Sequence, residues 1–552
     1  MRKLIALFLA MLLLVSLTAC GGSGDSAASA TESGTSESTT ATAEPSKTTK
    51  GPASTTASRS RTEKTSSTDK ADTGETEFDG YVSTLGEKAF SGNSAILYNK
   101  QTSRFDQQAE TKRQSVLNEK DTIKPSTTGK TYYISPKGDD NNDGTSKDKP
   151  WRTTKRLFNH LIFREGDVVL FERGGVYRNV SFHMTSGVSY GAYGTGAKPC
   201  LYGSAQNYAD EALWEKTSTA NVWRIKLDKT TPDVGNIVFD HGKQFGLKLL
   251  KNTLTVDYQF YHDAGKGYVY LYLAAGNPGK MYSDIEICVK NNVMFTKGNY
   301  TAKNITIENL CIKYTGAHGI VVQSGGGMEA KNITVRGCEI GWIGGSMLDA
   351  TVRYGNGIEL NGGVDGALIE DNWIYQCYDA GYTNQGKPCY HKNITVQDNL
   401  MEYSPYNIEV WTAQEIGKGG MTDCAVKNNI LRFAGYGFGT LNRIGSNTSV
   451  IGNISFYDYV IPCKNVVISG NIFDCSYRYL VSIAYPNDTE GRGPTITGNT
   501  WNQKPYSDKD TTASVDKIKL NGVEILQSKT LSEMQTSVAK VDKAPVAVTL
   551  EN

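Results

Sequence analysis

The chain has 552 residues, more than one compact domain needs and enough to bury a large core. Its formal net charge is +1, so no basic field draws it to nucleic acid. Glycine (57) suits many tight turns, and tyrosine (31, against 16 phenylalanine) suits either β-strands or a flat surface that stacks on sugars and hydrogen-bonds to them.

Arg2 and Lys3 precede an apolar run from Leu4 to Val15, followed by Ser16-Leu17-Thr18-Ala19-Cys20. A charged head, a short apolar core and small residues at the end make a secretory signal, too short for a comfortable membrane span. Leu17-Thr18-Ala19-Cys20 resembles the lipobox of bacterial lipoproteins. The resemblance implies that Cys20 is lipidated, becomes the first residue and anchors the chain on the outer face of a bacterial membrane. An ordinary signal peptide cleaved nearby is the alternative. From Gly21 to Glu77 there is no Val, Ile, Leu, Met, Phe, Tyr, Trp or Cys. Such a segment cannot bury surface and is expected to be a disordered tether, spanning roughly 40 Å on average and about 190 Å stretched. Of ten cysteines, nine remain once Cys20 is set aside. An odd count without a CxxC pair argues against a full disulfide framework and against a zinc site. Buried thiols stacked in the fold are the expectation, with one or two disulfides as the alternative.

Residues 78–130 are polar, with a helix expected over Arg104 to Leu117 on a thin stripe of Phe105, Ala109, Val116 and Leu117. Regular structure begins at the strand Thr131-Tyr132-Tyr133-Ile134. An acid-rich loop follows, Gly138-Asp139-Asp140-Asn141-Asn142-Asp143-Gly144. It can hold calcium through oxygen ligands, or it can be a hydrogen-bonded turn; it lacks the spacing and late Glu of an EF-hand loop. Thr153 to Phe163 reads as a short amphipathic helix, and Glu165-Gly166-Asp167-Val168-Val169-Leu170-Phe171 as a turn into a buried strand. Gly174-Gly175-Val176-Tyr177 and Tyr193-Gly194-Thr195-Gly196-Ala197-Lys198-Pro199 complete the pattern. This run resembles the entry segment of secreted proteins of the pectate-lyase-like superfamily. The resemblance implies a right-handed parallel β-helix whose capping helix plugs the open end.

Residues 204–287 break the pattern with short strands, such as Trp223-Arg224-Ile225 and Tyr268-Val269-Tyr270-Leu271-Tyr272, and are expected to form an inserted β-rich subdomain. From Asn304 a repeat is explicit: Asn304-Ile305-Thr306-Ile307, Asn332-Ile333-Thr334-Val335 and Asn393-Ile394-Thr395-Val396. Asn recurs at the turn that follows each strand, at 372, 399, 429, 453, 471 and 499, with Leu310 and Cys338 in the equivalent place earlier. There it is expected to take left-handed backbone and to bond to the Asn of the next coil. A period in the twenties means that no unit buries its face alone, so the coils stack into an all-β, single-stranded parallel β-helix. The domain organisation is therefore a signal (1–20), a linker (21–77), a polar lead-in (78–130), first coils (131–203), the insertion (204–287), further coils (288–501) and a C-terminal cap (502–552). The cap carries a strand near Val523 to Leu526 and a helix near Leu531 to Val538.

Aligning the coils puts Val321, Glu359, Thr383, Glu409, Gly439 and Ser482 at one outward position. Rungs are about 4.8 Å apart, so Glu359 and Glu409 lie roughly 9–10 Å apart, with Asp379 at the turn of the coil between. Acids stacked on a parallel sheet repel, which a purely solubilising surface avoids. Two such acids can divide glycoside cleavage, one protonating the leaving oxygen and the other attacking or activating water. Tyr378-Asp379-Ala380-Gly381 resembles the corresponding motif of β-helix glycosidases, whose acid pair sits on adjacent coils; this implies Asp379 and Glu409 as the pair. Trp411, Asn384, Gln385, His318, Tyr436 and Arg443 are candidate sugar contacts. The rival enzyme is a polysaccharide lyase, which needs a basic residue beside a uronate; Lys387, His391, Lys392 and Arg443 are the candidates. A third reading is a non-catalytic glycan-binding or adhesive surface protein. The expected partner is a polysaccharide or oligosaccharide bound by a monomer, with no cofactor beyond optional calcium.

Overall fold

A computed structural model describes residues 101–551, apart from 159–161, 297–300, 326, 351, 387, 413–418, 444–450, 457–461, 484–492, 505–516, 521–522 and 526–529. The expectations for the signal, Cys20, the linker to Glu77 and Lys387 fall outside the described residues.

Three long sheets, here A, B and C, run side by side along a right-handed parallel β-helix. Each coil gives one strand to each in turn, as in Lys303–Glu308, Cys311–Thr315 and Ile320–Gln323. The next coil repeats this with Glu329–Arg336, Glu339–Ile343 and Ile358–Asn361. Register is direct: Ile307 lies opposite Val335, Val335 opposite Ile369 and Ile369 opposite Val396. Side chains alternate, so each such row fills the interior, and these four are buried. Each buried aliphatic contributes about 1.5–3 kcal/mol relative to exposure, which stacks one coil on the next.

The turn between sheets A and B divides two tasks that the sequence reading assigns to one asparagine. The residue before each ladder position takes the left-handed backbone: Asn309, Gly337, Asp371, Asp398, Asn428, Gly470 and Gly498, at φ between 54° and 71°. The asparagine after it turns inward. Asn372, Asn399, Asn429, Asn471 and Asn499 form a buried ladder in which each Oδ1 accepts from the backbone N–H of the rung before. Asn453 is not in it. It accepts from Asn407 at another corner of the coil. The step from Asn429 to Asn471 is 42 residues, in a coil that carries the extra helical turn Phe438–Leu441.

Between Cys200–Tyr202 and Met294–Phe295 the chain leaves the coils and builds a five-stranded and a three-stranded sheet. Their shared core includes Trp214, Ile237, Phe239, Phe260 and Leu271. The described part of the entry helix is a 3₁₀ segment, Thr154–Phe158, with Leu157 buried in the coil interior. The carboxylates of the acid-rich loop are used in turns: Asp140 accepts from Arg152, Thr153 N and Thr153 Oγ1, and Asp143 from Thr145. Among the described residues no group of three His, Cys, Asp or Glu is placed to hold a metal.

The lead-in helix, Asp106–Leu117, lies on the outer face of sheet B. Its buried side is Ala109, Arg113 and Val116. The arginine belongs there because Glu402 awaits it at 2.8 Å and the Trp373 ring lies 5.0 Å below it. The nine cysteines from Cys200 to Cys475 are all buried free thiols. At the far end, helix Leu531–Val538, opened by a capping box of Thr530 and Glu533, buries Met534 and Val538 against the coil interior.

Candidate active site

Sheet C carries the site. One outward row runs His183, Phe295, Val321, Glu359, Thr383, Glu409, Ser455 and Ser482. Ser455, not Gly439, follows Glu409; Gly439 is in the helical turn and packs on the Tyr378 and Cys377 carbonyls. A second outward row, two residues further along, runs Gln323, Asn361, Gln385 and Trp411. The row between points inward. Asn384 lies in it between Leu360 and Val410, both in the interior core, and is almost fully buried. This corrects its assignment as a sugar contact: period-two alternation gives the outer flank to Thr383 and Gln385. Tyr436 is also buried, against Phe433 and Tyr477, in the cluster outside sheet B.

Glu409 is 5 % exposed, and its Oε2 accepts from Thr383 Oγ1 and Gln385 Nε2, both at 2.9 Å. Burial pushes its carboxyl up to about 7, the nearby charge of Asp379 adds to this, and the hydrogen bonds and Arg443 oppose it. Asp379 is the last residue before strand Ala380–Gln385, so it stands at the turn of the coil preceding Glu409's. Its side chain is paired with the Arg443 guanidinium, which also donates to the Tyr378 carbonyl at 3.1 Å. Arg443 lies 5.0 Å from the Tyr378 ring centroid and 5.7 Å from that of Tyr406. Two coils of strand spacing separate Glu359 from Glu409, with Thr383 between them.

Glu359 is held differently. Asn356 and Asn361 each donate a side-chain N–H to it at 2.7 Å, one to each oxygen. His318 Nδ1 stands 3.1 Å from its Oε2 and 3.1 Å from the Asn356 amide nitrogen. Tyr354 meets the His318 ring edge to face at 5.0 Å. Sequence reading missed Asn356, Asn361 and Thr383. Asn361 was within its reach, since Asn361 and Glu359 share a face by alternation, and Thr383 was placed in the acid row without a role; Asn356 precedes the strand at the opposite parity. Tyr354 and Arg353 had no such signal, because a short hairpin outside the repeat carries them.

The lyase candidates are placed less favourably. His391 faces the interior beside Val364 and Met421, where burial holds it down to about 4, and Lys392 is paired with Glu329 on sheet A.

The chain therefore has the coil architecture of a right-handed parallel β-helix, with an acidic outward row on one sheet. No family model matches it. It is 33% identical over 125 residues to a lacto-N-biosidase of Bifidobacterium longum subsp. longum, a stretch that is 20% of this chain and 8% of that protein. The chain thus spans less than a tenth of the relative it matches. Among solved structures it is similar to XylC in complex with xylose, at 12% identity and a TM-score of 0.40, over 68% of this chain and 69% of that one. It is also similar to a GH136 lacto-N-biosidase from Eubacterium ramulus, at 14% identity and a TM-score of 0.34, over 76% and 67%.

Proposed function

We propose that this protein is a carbohydrate-active enzyme, a glycoside hydrolase that cleaves a neutral oligosaccharide or polysaccharide on the outward flank of sheet C. The observation that carries the reading is the juxtaposition of Glu409 with Asp379 on neighbouring coils, one carboxyl buried and neutral-tending, the other paired with a guanidinium. Glu409 is the general acid. Both of its hydrogen bonds fall on Oε2, so Oε1 carries the proton toward the glycosidic oxygen. Asp379 supports the positive charge that develops on the sugar and is the nucleophile of a retaining reaction. Glu359, fixed by two side-chain amides, binds sugar hydroxyls beside the pair, and Trp411 offers a stacking face at the end of the second row.

A hydrolase is favoured over a lyase by the state of the cations. Arg443 is committed to Asp379, Lys392 to Glu329, and His391 is buried and neutral. An adhesive role is disfavoured by the burial of Glu409, since a binding surface gains nothing from an acid kept near neutrality. The same reading has the enzyme tethered at a bacterial cell surface through a lipid on Cys20, and loss of membrane association in Cys20→Ala tests that part. The enzymatic test is digestion of a panel of neutral glycans and polyuronates with analysis of product ends. Reducing ends from a neutral glycan support the hydrolase. Unsaturated uronate products overturn it in favour of a lyase. Product anomers separate the two partners of Glu409: retention supports Asp379, whereas inversion transfers the role to Glu359, about 9–10 Å away.

A further inference from the structure

The contacts of the insertion converge on the turn that holds Arg443. Arg353 sits in a two-stranded hairpin, Ser346–Met347 with Arg353–Tyr354, that interrupts the coil just before Glu359. Its guanidinium donates to three carbonyls from three separate segments: Gly345 of the hairpin at 2.7 Å, Gly235 of the insertion at 3.2 Å, and Asn442 at 2.5 Å. It also lies 4.6 Å from the Tyr378 ring centroid, and Arg443 lies 5.0 Å from the same centroid. Asn442 is the neighbour of Arg443, is 3 % exposed, and accepts the Lys248 amide of the insertion on its side chain at 2.9 Å. Asp233, paired with Lys248, accepts the Met347 amide at 2.7 Å, so the insertion is bonded directly to the hairpin.

We propose that Arg353 is a positioning residue through which the inserted subdomain fixes Arg443, and through Arg443 the Asp379–Glu409 pair. The inference rests on the hydrolase reading for its consequence in turnover, but not for its geometry. Three carbonyls accept from the one guanidinium, and two guanidinium groups share one tyrosine ring. That arrangement stands only while the planar fork keeps all three segments together. A lysine retains the charge and loses the fork. The Asn442–Arg443 turn then loosens, Arg443 holds Asp379 less well, and the cation that opposes protonation of Glu409 recedes.

The test uses the full chain as Arg353→Lys and, by a second route, Asn442→Ala. Both variants are expected to stay folded and to lower kcat about tenfold to a hundredfold, with KM nearly unchanged. The alkaline limb of activity moves upward by about half a pH unit or more. Titration of the Glu409 carboxyl by ¹³C NMR, assigned by its absence in Glu409→Gln, reads the same upward shift with no substrate present. A shift in that titration upholds the coupling even where no glycan is cleaved, so failure of the hydrolase reading is seen separately. An unmoved Glu409 titration in folded Arg353→Lys and Asn442→Ala overturns the proposal, as does a fall in kcat that only follows the unfolded fraction.

Discussion

Glu409 is asked to keep a proton beside a second carboxyl, and its surroundings show how. Burial disfavours its charge, Asp379 adds repulsion, and Thr383 and Gln385 orient it while limiting the rise. Activity that depends on the protonated acid is therefore full below about pH 7 and falls as pH rises through it, which a kcat/KM profile on any cleaved glycan checks. Glu409→Gln keeps the shape and both neighbours but cannot donate an acid proton. It is expected to lose about 10²–10⁴ in kcat, with Tm unchanged or raised, because the site no longer buries an ionisable group. Asp379→Asn removes the repulsion and leaves the Arg443 cation unopposed, so the Glu409 titration moves down rather than up. A carboxyl NMR titration that moved upward in Asp379→Asn would show that the two groups do not share a site.

The coil is built from rungs that cannot stand alone, and its turn ladder is where this is most exposed to test. Asn429 accepts from Asn399 N and Nδ2 and donates to the Val396 carbonyl and to Asn471 Oδ1, all at 2.9–3.0 Å in a dry interior. Asn429→Ala strands donors on one side and acceptors on the other, at a cost of about 1–3 kcal/mol or more in denaturant unfolding. Asn332, exposed and at φ 54°, bonds through its side chain to its exposed neighbour Asn304, so Asn332→Gly costs within about 0.5 kcal/mol. The contrast also marks what the sequence could and could not convey. Period-two alternation with a recurring turn residue was enough for the coils and for the row of Glu359, Thr383 and Glu409. It failed where the period broke. Gly439 entered the row because nothing in the letters announced a helical turn before Ser455, and Asn453 entered the ladder because both corners of the coil favour the same residue. Asn384 failed for another reason: it was judged by its chemistry and not by its parity. Arg353 was out of reach, because its three partners are distant in sequence and are all backbone carbonyls.

Buried acids decide how the molecule as a whole responds to pH. Glu286, fully buried in the insertion beside Arg178, is pushed up to about 8 by burial and by Asp284, and Glu409 to about 7. In the unfolded chain both return to the ordinary glutamate range, about 4.3. Between those limits the folded state binds more protons than the unfolded one, so stability falls as pH rises. His391 acts in the opposite sense, since burial holds it down to about 4, but its contribution is complete by about pH 6.5. From pH 6.5 upward the two glutamates act alone among these three, Glu409 until about pH 7 and Glu286 until about pH 8. At about 1.4 kcal/mol per group per pH unit, the loss from pH 6.5 to 8 is on the order of 2–3 kcal/mol. Chemical denaturation across that range is expected to show the decline, and Glu286→Gln to remove the larger part of it. The two contributions also separate by place. Glu286→Gln leaves the alkaline limb of catalysis where it was, because the insertion reaches the site through Arg353 and Asn442 and not through the charge of Glu286.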